Sequence, residues 1–279
     1  MKKLTLITLS LLSSIIMQAQ TFTFMTYNIR YANPDDGINF WDNRKEELAA
    51  QISFYEPDIL GIQEGLPEQV DYLDAQLKEY TYFGVGRDDG KRKGEFSAIY
   101  FKDEKFTALK KQTFWLSPTP EKPSKGWDAA LPRICTSMLF EVKADPKQKF
   151  WVFNTHFDHR GKEARLQAVD VILNKIKELN TDDYPVIVMG DLNLTPDTAP
   201  IKKLFESMND SRAISDLVFG PHGTSGGFET KKEYPNRIDY IVVSDGVKVS
   251  KYAVLTDNRD LRNYSDHLPV FVEATFSSK

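Results

Sequence analysis

Polar side chains follow several short apolar stretches of this 279-residue chain, at the points where those stretches end. An apolar strand that runs through a core has little reason to finish on a carboxylate or an imidazole unless its end borders a site. A single Asp or Asn in that position usually caps a turn, but here the pattern recurs at six places. Four of these places follow an apolar stretch, one lies inside a predicted strand, and one lies just before the last strand: Asn28, Glu64, His156 with Asp158, and Asp191 with Asn193; Asp239; and Asp266 with His267.

Carboxylates that converge on one place repel one another, and a bound divalent cation commonly relieves that repulsion. The single cysteine, Cys135, excludes an internal disulfide and a Cys-rich zinc site. A metal must therefore be held by oxygen and imidazole, and hard oxygen ligands favour Mg²⁺ or Mn²⁺. His156 and His159 have the H-x-x-H spacing, but without a third His or Cys nearby they indicate zinc only weakly.

Three of the four histidines stand close to an aspartate, in the strings His156-Phe-Asp-His159 and Asp266-His267. A carboxylate that holds an imidazole fixes its tautomer and raises its basicity, which suits a general base or a contact to a phosphoryl oxygen. His222 lies in a Gly-rich segment, and we expect it to have an ordinary surface or hydrogen-bonding role.

Short strands that alternate with helices must position these residues. Residues 185–190 are almost continuously apolar, which is typical of a strand covered on both faces. Helical spacing of apolar residues occurs in 44–55 and 162–179, and the Pro- and Gly-rich segments 117–126 and 220–227 predict surface loops. Ten strands with three or four helices favour two stacked sheets flanked by helices over a doubly wound nucleotide-binding fold. The predicted strands are Phe22–Ile29, Ile59–Gln63, Ser97–Phe101, Phe106–Trp115, Ile134–Val142, Phe150–Thr155, Val186–Gly190, Ile238–Val243, Lys248–Leu255 and Val270–Phe276.

Residues 1–20 have the layout of a secretory signal peptide: two lysines, an uncharged apolar run over 4–17, and a small residue at Ala19. The apolar run is shorter than the roughly 20 residues that span a bilayer, and no cysteine follows it to carry a lipid anchor. We expect export to the periplasm or the cell exterior, with cleavage near Ala19 or Gln20 and no stable membrane insertion.

The remaining chain, 21–279, is long enough and apolar enough to bury a substantial core as one large domain or two small ones. We expect a single domain and a monomer. The net charge is −4, and removal of Lys2 and Lys3 with the leader takes it to −6. Proteins that coat nucleic acids usually carry a basic surface. Nucleic acid therefore stays an alternative partner that the charge does not favour.

Seven short motifs, taken in order, resemble the motif series of the endonuclease/exonuclease/phosphatase superfamily. That group includes deoxyribonuclease I, apurinic endonucleases, inositol polyphosphate 5-phosphatases and bacterial sphingomyelinases. The resemblance runs from about Phe22 to the C-terminus; the ordered set is specific for the superfamily but not for a substrate. The motifs are Thr26-Tyr-Asn-Ile29, Ile62-Gln-Glu64, Gly94-Glu95, Asn154-Thr-His156, Gly190-Asp-Leu-Asn193, Arg237-Ile-Asp-Tyr240 and Ser265-Asp-His267.

The resemblance implies a deoxyribonuclease I-like fold, a four-layered α/β sandwich with the site where its two mixed sheets open. It also implies that Glu64 is the principal ligand of Mg²⁺ or Mn²⁺, with Asn28 beside it and Asp266 assisting on the same or a second ion. Asp191 is expected to orient or deprotonate the attacking water, and Asn193 to hold a phosphoryl oxygen.

Two His–carboxylate pairs follow from the same resemblance, His267 with Asp239 and His156 with Glu95, and these imidazoles would bind and neutralise the phosphate. Arg133 opens a predicted strand. It is either a further phosphate contact or an ordinary surface arginine, because guanidinium groups suit both positions.

Some segments fall outside the family pattern. Trp115 and Trp127 lie in a segment that belongs to none of the seven motifs, and they either floor a substrate pocket or pack a loop. Residues 88–93 either bring lysine and arginine side chains near the opening of the site or form a solvent-exposed turn. The Tyr-Arg of inositol phosphatases is missing after Asn193, which weakens an inositol substrate, and the apurinic endonucleases have a tyrosine where this chain has His156.

Together these observations predict an exported metal-dependent phosphoesterase that cleaves a phosphodiester by in-line attack of an activated water. The alternatives are a secreted nuclease for DNA or RNA, and a phosphomonoesterase for sugar or inositol phosphates. A non-catalytic binding protein on the same fold is disfavoured because the metal- and water-handling residues are all present. Those residues are Glu64, Asp191, Asn193, Asp239, Asp266 and His267.

Overall fold

A computed structural model describes residues 20–276 of the chain. The predicted signal peptide lies outside the described residues, apart from Gln20. Within the described range, no helix is long and apolar enough to cross a membrane.

Seven strands form the first sheet, which is mixed because β1 runs parallel to β2 and β10 runs parallel to β12, while the other pairs are antiparallel. In spatial order the strands are β10 (Leu217–Phe219), β12 (Val247–Val254), β15 (Val270–Phe276), β1 (Thr21–Asn28), β2 (Ile59–Gln63), β4 (Ile99–Lys102) and β3 (Tyr80–Phe83).

Six strands form the second sheet, in which β7 and β8 are the parallel pair. In spatial order they are β5 (Phe106–Trp115), β6 (Ile134–Val142), β7 (Asp145–His156), β8 (Val186–Asp191), β11 (Asp239–Val243) and β9 (Asn209–Asp210). A small hairpin, β13 (Asn258–Arg259) and β14 (Arg262–Asn263), stands apart from both sheets.

The helices cover the outer faces of the sheets and complete a four-layered α/β sandwich, which confirms the predicted fold. One apolar cluster, rich in Phe, lies between the two sheets. A second packs the first sheet against α1 and α2, and a third packs the second sheet against α3 and α4. The helices are α1 (Lys45–Tyr55), α2 (Pro67–Gln76), α3 (Lys162–Leu179), α4 (Ala199–Ser207) and the single turn α5 (Ser211–Ile214).

All ten predicted strands are present, and the strands that the sequence did not predict are short. β3 and β10 lie at the edges of the first sheet, while β9, β13 and β14 have two residues each. Such strands bury too few side chains to produce a clear alternation of apolar and polar residues. The prediction that 220–227 is a surface loop is partly wrong. Thr224 is fully buried, and its backbone hydrogen-bonds to neighbouring segments.

Strand register brings the polar strand ends to one end of the sandwich. His156, Asp191 and Asp239 are direct neighbours across β7, β8 and β11, and Asn28 lies opposite Gln63 across β1 and β2. Gly190 permits this arrangement: its φ is 145°, and a Cβ there would lie only 2.0 Å from the carbonyl oxygen of Thr155.

A buried amide pair links the two sheets directly beneath these strand ends. Gln63 Nε2 donates to Asn154 Oδ1 at 2.7 Å, and Asn154 Nδ2 donates to the carbonyl oxygens of Ile62 and Ala98 at 2.9 Å each. Gly61 leaves space for the Asn154 side chain, since a Cβ at Gly61 would lie 2.7 Å from it. Because buried amides are costly to leave unpaired, these bonds fix the alignment of the sheets under the site.

Candidate active site

Asn28 joins the two sheets at the floor of the site. Its Nδ2 donates to Glu64 Oε1 at 3.1 Å and to Asp191 Oδ2 at 2.9 Å, while its Oδ1 accepts from the Arg30 amide at 3.0 Å. The Tyr31 amide donates to the other Glu64 oxygen at 3.0 Å. The structure therefore brings together three predicted site residues that are up to 163 positions apart in the sequence.

Three residues at this floor have positive φ angles: 54° for Arg30, 64° for Glu64 and 51° for Asn193. This conformation is sterically unfavourable for most non-glycine residues, costing on the order of 1–3 kcal/mol, and it persists only where the surroundings enforce it. Here it turns the Glu64 carboxylate back towards Asn28 and the Tyr31 amide.

Asp266 reaches the same floor from the last loop of the chain. Ser265 Oγ donates to the carbonyl oxygen of Asn28 at 2.7 Å, and Asp266 Oδ2 lies 3.8 Å from Arg30 Nε. Burial raises the pKa of Asp266 and the nearby charge of Glu64 raises it further, although His267 opposes both effects. Glu64 and Asp266 are therefore close enough for their charges to interact.

His267 lies between two carboxylates. Its Nδ1 is 2.8 Å from Asp239 Oδ2 and its Nε2 is 3.9 Å from Asp191 Oδ2. Burial alone would lower the pKa of His267, but Asp239 and Asp191 outweigh it and hold the pKa well above the ordinary value. Burial and the charge of Asp239 raise the pKa of Asp191 to about 7.

His156 has the opposite character. Burial, followed by the charges of Arg133 and Arg87, lowers its pKa well below the ordinary value, so the imidazole is neutral. Its Nε2 lies 3.0 Å from Asn193 Nδ2. Its Nδ1 is 3.9 Å from Glu95 Oε2, too far for a hydrogen bond. The predicted pair of His156 and Glu95 is thus a loose contact in this structure, and its role toward a phosphate stays a prediction.

Arg87 is the partner that Glu95 has instead, through a contact of 2.5 Å between its Nη1 and Glu95 Oε2. Arg133 is buried beside them, with its Nη2 3.0 Å from His159 Nδ1. Arg133 Nε and Nη1 and Arg87 Nε have no hydrogen-bond partner within the described part of the chain. Burial and the neighbouring charge of Arg87 lower the pKa of Arg133, which indicates that the two cations lie close together.

Asp158 supports the wall on which Arg133 rests. It accepts hydrogen bonds from the amides of Ala130 and Leu131 at 3.0 and 3.3 Å, and from those of Arg160 and Gly161 at 2.9 and 2.7 Å. Burial would raise the pKa of Asp158, but these amides and Arg133 lower it. The carboxylate therefore stays ionised and fixes the segment that carries Leu131 into the cleft.

Most of these groups line one cleft of about 500 Å³, while Asp239 and Asp266 contact lining residues from outside it. We name its two sides by composition. The carboxylate half comprises Glu64, Asp191, Asp239, Asp266 and His267, and the arginine half comprises Arg87, Glu95, Arg133 and His159. His156 and Asn193 lie between them. The residues that line the cleft are Arg30, Tyr31, Glu64, Arg87, Glu95, Leu131, Arg133, His156, His159, Asp191, Asn193 and His267.

The carboxylate half fits a hard divalent cation. Asp191, Asp239 and His267 have ligand atoms within 4.8 Å of one another, but the imidazole already balances charge there. Glu64 and Asp266 have Arg30 beside them, but Arg30 is paired with Asp36 at 2.9 Å. His267 and Arg44 offset part of the charge on Asp266. Neighbouring like charges need compensation, and these two carboxylates are only partly buried, so an ion can reach them. The oxygens of Glu64 and Asp266 are therefore the ones best suited to such an ion.

Neither predicted tryptophan lines the cleft. Trp115 is buried, and its Nε1 donates to the Arg87 carbonyl oxygen at 2.7 Å, so it supports the backbone of an arginine rather than a substrate. Trp127 is 36% exposed and borders a different cavity, of about 320 Å³, against α3. The loop-packing alternative therefore describes Trp115, while Trp127 stands outside the cleft.

Sequence reasoning missed Arg30, Tyr31, Arg87 and Thr224. Arg87 precedes the charged segment 88–93, whose basic residues were the only signal near it. Thr224 Oγ1 donates to Asp239 Oδ2 at 2.6 Å and so holds the carboxylate that faces His267. No sequence pattern distinguishes this threonine from others in Gly-rich loops.

Comparison with known proteins agrees with the geometry. The model of the Endonuclease/Exonuclease/phosphatase family matches residues 25–267. A crystal structure of a family protein from Bacteroides thetaiotaomicron is 38% identical, with a TM-score of 0.90 over 94% of this chain and 100% of that chain. A mannosyl-6-phosphatase of the same organism is also 38% identical, with a TM-score of 0.88 over 91% of this chain and 100% of that chain.

More distant similarity extends to eukaryotic proteins. The CCR4-NOT transcription complex subunit 6-like-B of Xenopus laevis is 24% identical over 293 residues, covering 80% of this chain and 53% of that protein. The chain thus spans about half the length of the curated relatives that it matches first. Because the family model covers residues 25–267 and the site geometry agrees, the chain belongs to the endonuclease/exonuclease/phosphatase family of phosphoester hydrolases.

Proposed function

We propose that this protein is an exported, Mg²⁺- or Mn²⁺-dependent phosphatase that hydrolyses a phosphomonoester of a small sugar. The observation that carries the proposal is the arrangement of the cleft: metal-ligating carboxylates face two buried arginines with unpartnered N–H groups. A phosphomonoester carries close to two negative charges at neutral pH, and a diester carries one. The guanidinium groups of the arginine half each lie beside a carboxylate, Arg87 beside Glu95 and Arg133 Nε 3.5 Å from Asp158 Oδ2. Their N–H groups that make no hydrogen bond suit the more highly charged phosphate.

Two further observations support a small substrate. The cleft volume of about 500 Å³ lies within the range of sites for small molecules, and the acidic net charge of −4 gives no attraction for a polyanion. A relative that is 38% identical is a mannosyl-6-phosphatase. These points reverse the order expected from the sequence, in which a phosphodiester came before a phosphomonoester.

The side chains have separate tasks in this proposal. A divalent ion held by Glu64, Asp266 and Asn28 would neutralise charge on the phosphoryl oxygens. Asp191 is held by the Asn28 amide and by the Asn193 backbone amide, which donates to its Oδ1 at 2.9 Å. Its carboxylate would accept a hydrogen bond from the attacking water and orient it for in-line displacement.

The phosphate would be held by donors around it. Because His267 Nδ1 is engaged by Asp239, its Nε2–H remains to donate to a phosphoryl oxygen. Asn193 Nδ2 lies 3.0 Å from both His156 Nε2 and the Phe157 carbonyl oxygen, and it would turn one of these N–H groups to the phosphate. The N–H groups of Arg133 and Arg87 that make no hydrogen bond would bind the remaining oxygens.

A substrate panel tests the proposal. Purified protein with Mg²⁺ or Mn²⁺ is assayed against hexose 6-phosphates, p-nitrophenyl phosphate, bis(p-nitrophenyl) phosphate, a phospholipid, plasmid DNA, single-stranded DNA and RNA, with Asp191→Asn as the negative control. We expect phosphate release from the sugar monoesters with the highest kcat/KM. Faster cleavage of the diester would favour the phosphodiesterase that the sequence predicted. Cleavage of nucleic acids, together with no hydrolysis of the sugar phosphates, would favour a nuclease instead.

A further inference from the structure

Arg44 is a buried arginine behind the floor of the cleft, immediately before α1. It is 5% exposed, and its four hydrogen bonds all go to main-chain carbonyl oxygens. Its guanidinium also lies 5.1 Å from the ring centre of Trp41 and 5.4 Å from that of Phe228. Burial lowers the pKa of Arg44 to about 10, so it is a cation at neutral pH.

The carbonyl groups that Arg44 binds belong to the two loops that carry predicted metal ligands. Its Nη1 donates to Ile29 O at 2.7 Å and to Tyr264 O at 3.0 Å, and its Nη2 donates to Arg30 O at 2.7 Å. Ile29 and Arg30 directly follow Asn28, and Tyr264 precedes Asp266 by two positions. The Arg44 side chain therefore joins the backbone at Ile29, 15 positions before it, to the backbone at Tyr264, 220 positions after it.

The loop after Asn28 needs such support, because Arg30 has a φ of 54°. This turn aims the Tyr31 amide at Glu64 Oε2. Gln69 provides a second support, since its Nε2 donates to the same Arg30 carbonyl at 2.9 Å and its Oε1 accepts from the Ala32 amide at 2.9 Å. A planar guanidinium can reach three carbonyl groups at once, which a lysine ammonium on a flexible stem cannot do in the same geometry.

We propose that Arg44 is a positioning residue for the metal-ligand set, joining the loops of Asn28 and Asp266 so that both face Glu64. The inference rests on the proposed function only in assigning the metal to these three residues. Arg44 touches neither substrate nor metal. Its effect passes through the backbone, as that of residues behind a metal-binding shell commonly does.

The test measures Mn²⁺ binding without substrate, by isothermal titration calorimetry on the purified chain, together with the thermal unfolding midpoint. Arg44→Lys keeps the charge and removes the fork. The matched control is Lys102→Gln, which removes another buried cation, at the opposite end of β2 from Glu64. We expect the Kd for Mn²⁺ to rise about 10- to 100-fold in Arg44→Lys and to stay within about twofold in Lys102→Gln. Saturating Mn²⁺ should restore most of the lost kcat of Arg44→Lys.

A Kd within twofold of wild type in a folded Arg44→Lys protein would overturn the proposal, because the arginine would then serve stability alone. If Arg44→Lys does not fold, Gln69→Met is measured instead, because Gln69 also donates to the Arg30 carbonyl oxygen that Arg44 binds. The same limit of twofold in the Kd for Mn²⁺ then applies. Failure of both variants to fold, or wild-type protein that binds no Mn²⁺, would also overturn it. If wild type binds Mn²⁺ but hydrolyses no ester, only the proposed function fails, and the change in Kd still decides the role of Arg44.

Discussion

Two buried histidines of the cleft differ most clearly in their surroundings: His267 belongs to the carboxylate half, and His156 lies where that half meets the arginine half. His267, against Asp239 and Asp191, has a pKa well above the ordinary value, whereas His156, near Arg133 and Arg87, has a pKa well below it. Burial acts in the same direction on both, so the neighbouring charges make the difference. One half is built to collect positive charge and the other to collect negative charge, which suits a site that holds a cation and an anion side by side.

Removal of metal gives the largest expected effect, because it leaves the carboxylate half without its counter-ion. Dialysis against EDTA should reduce phosphate release to background, and addition of Mg²⁺ or Mn²⁺ should restore it. The measurement is the initial rate on the best substrate of the panel. Full activity after chelation, with metal content verified by elemental analysis, would remove the metal from the account.

Asp191→Asn should lower kcat about 10³-fold or more, since it removes the charged acceptor that orients water while conserving the shape of the side chain. Steady-state kinetics measure the effect, and circular dichroism checks the fold. Asp103→Asn, on an exposed aspartate remote from the cleft, is the control and should retain wild-type kcat. A rate near normal for Asp191→Asn would mean that another group handles the water.

Arg133→Met separates the arginine half from the carboxylate half. Loss of one charge-assisted contact should raise KM for a sugar phosphomonoester about 10- to 100-fold, with a smaller change in kcat. Asp158 keeps its four backbone donors in this variant but loses the Arg133 guanidinium 3.5 Å from its Oδ2. We therefore expect a lower thermal unfolding midpoint, and circular dichroism checks that the variant is folded before KM is compared. The control is Arg92→Met, which alters an exposed arginine.

The same variant sharpens the choice of substrate. If the arginine half recognises the second charge of a monoester, kcat/KM for bis(p-nitrophenyl) phosphate should fall less than threefold, about 0.6 kcal/mol in transition-state binding. Equal losses for the monoester and the diester would show that Arg133 does not discriminate between them.

The sequence predicted the carboxylate half better than the arginine half, and the reason is physical. Glu64 and Asp191 lie at the ends of apolar strands and Asp266 lies just before the last one, so the strands carry all three to one end of the sandwich. Arg87 lies in a loop, and its place in the cleft depends on Glu95 and on the Trp115 indole, which binds its carbonyl group. Tertiary contacts of a loop residue produce no periodic pattern in the sequence, so they could not be predicted from it.

The partners of the histidines illustrate the same limit. The expected pair of His267 with Asp239 is present at 2.8 Å, because the two residues lie on elements that register brings together. Glu95 was expected to pair with His156, but Arg87 competes for the same carboxylate. The ten main strands were predictable from their apolar runs, while the two-residue strands and the buried position of Thr224 depend on tertiary contacts.

Trp127→Ala should have the smallest effect, because Trp127 borders a cavity separate from both halves. We expect kcat/KM on the sugar monoester to change by less than about twofold, as measured by steady-state kinetics beside wild type. A loss of tenfold or more would place part of the substrate on this second cavity and enlarge the site beyond the cleft.

The most direct test of the central claim is anomalous diffraction at the manganese edge from crystals soaked with Mn²⁺ and phosphate. The account predicts a manganese peak within about 2.0–2.6 Å of a Glu64 oxygen, with phosphate oxygens directed towards Arg133 and His267. A manganese peak away from both Glu64 and Asp266, or none at saturating Mn²⁺, would contradict it.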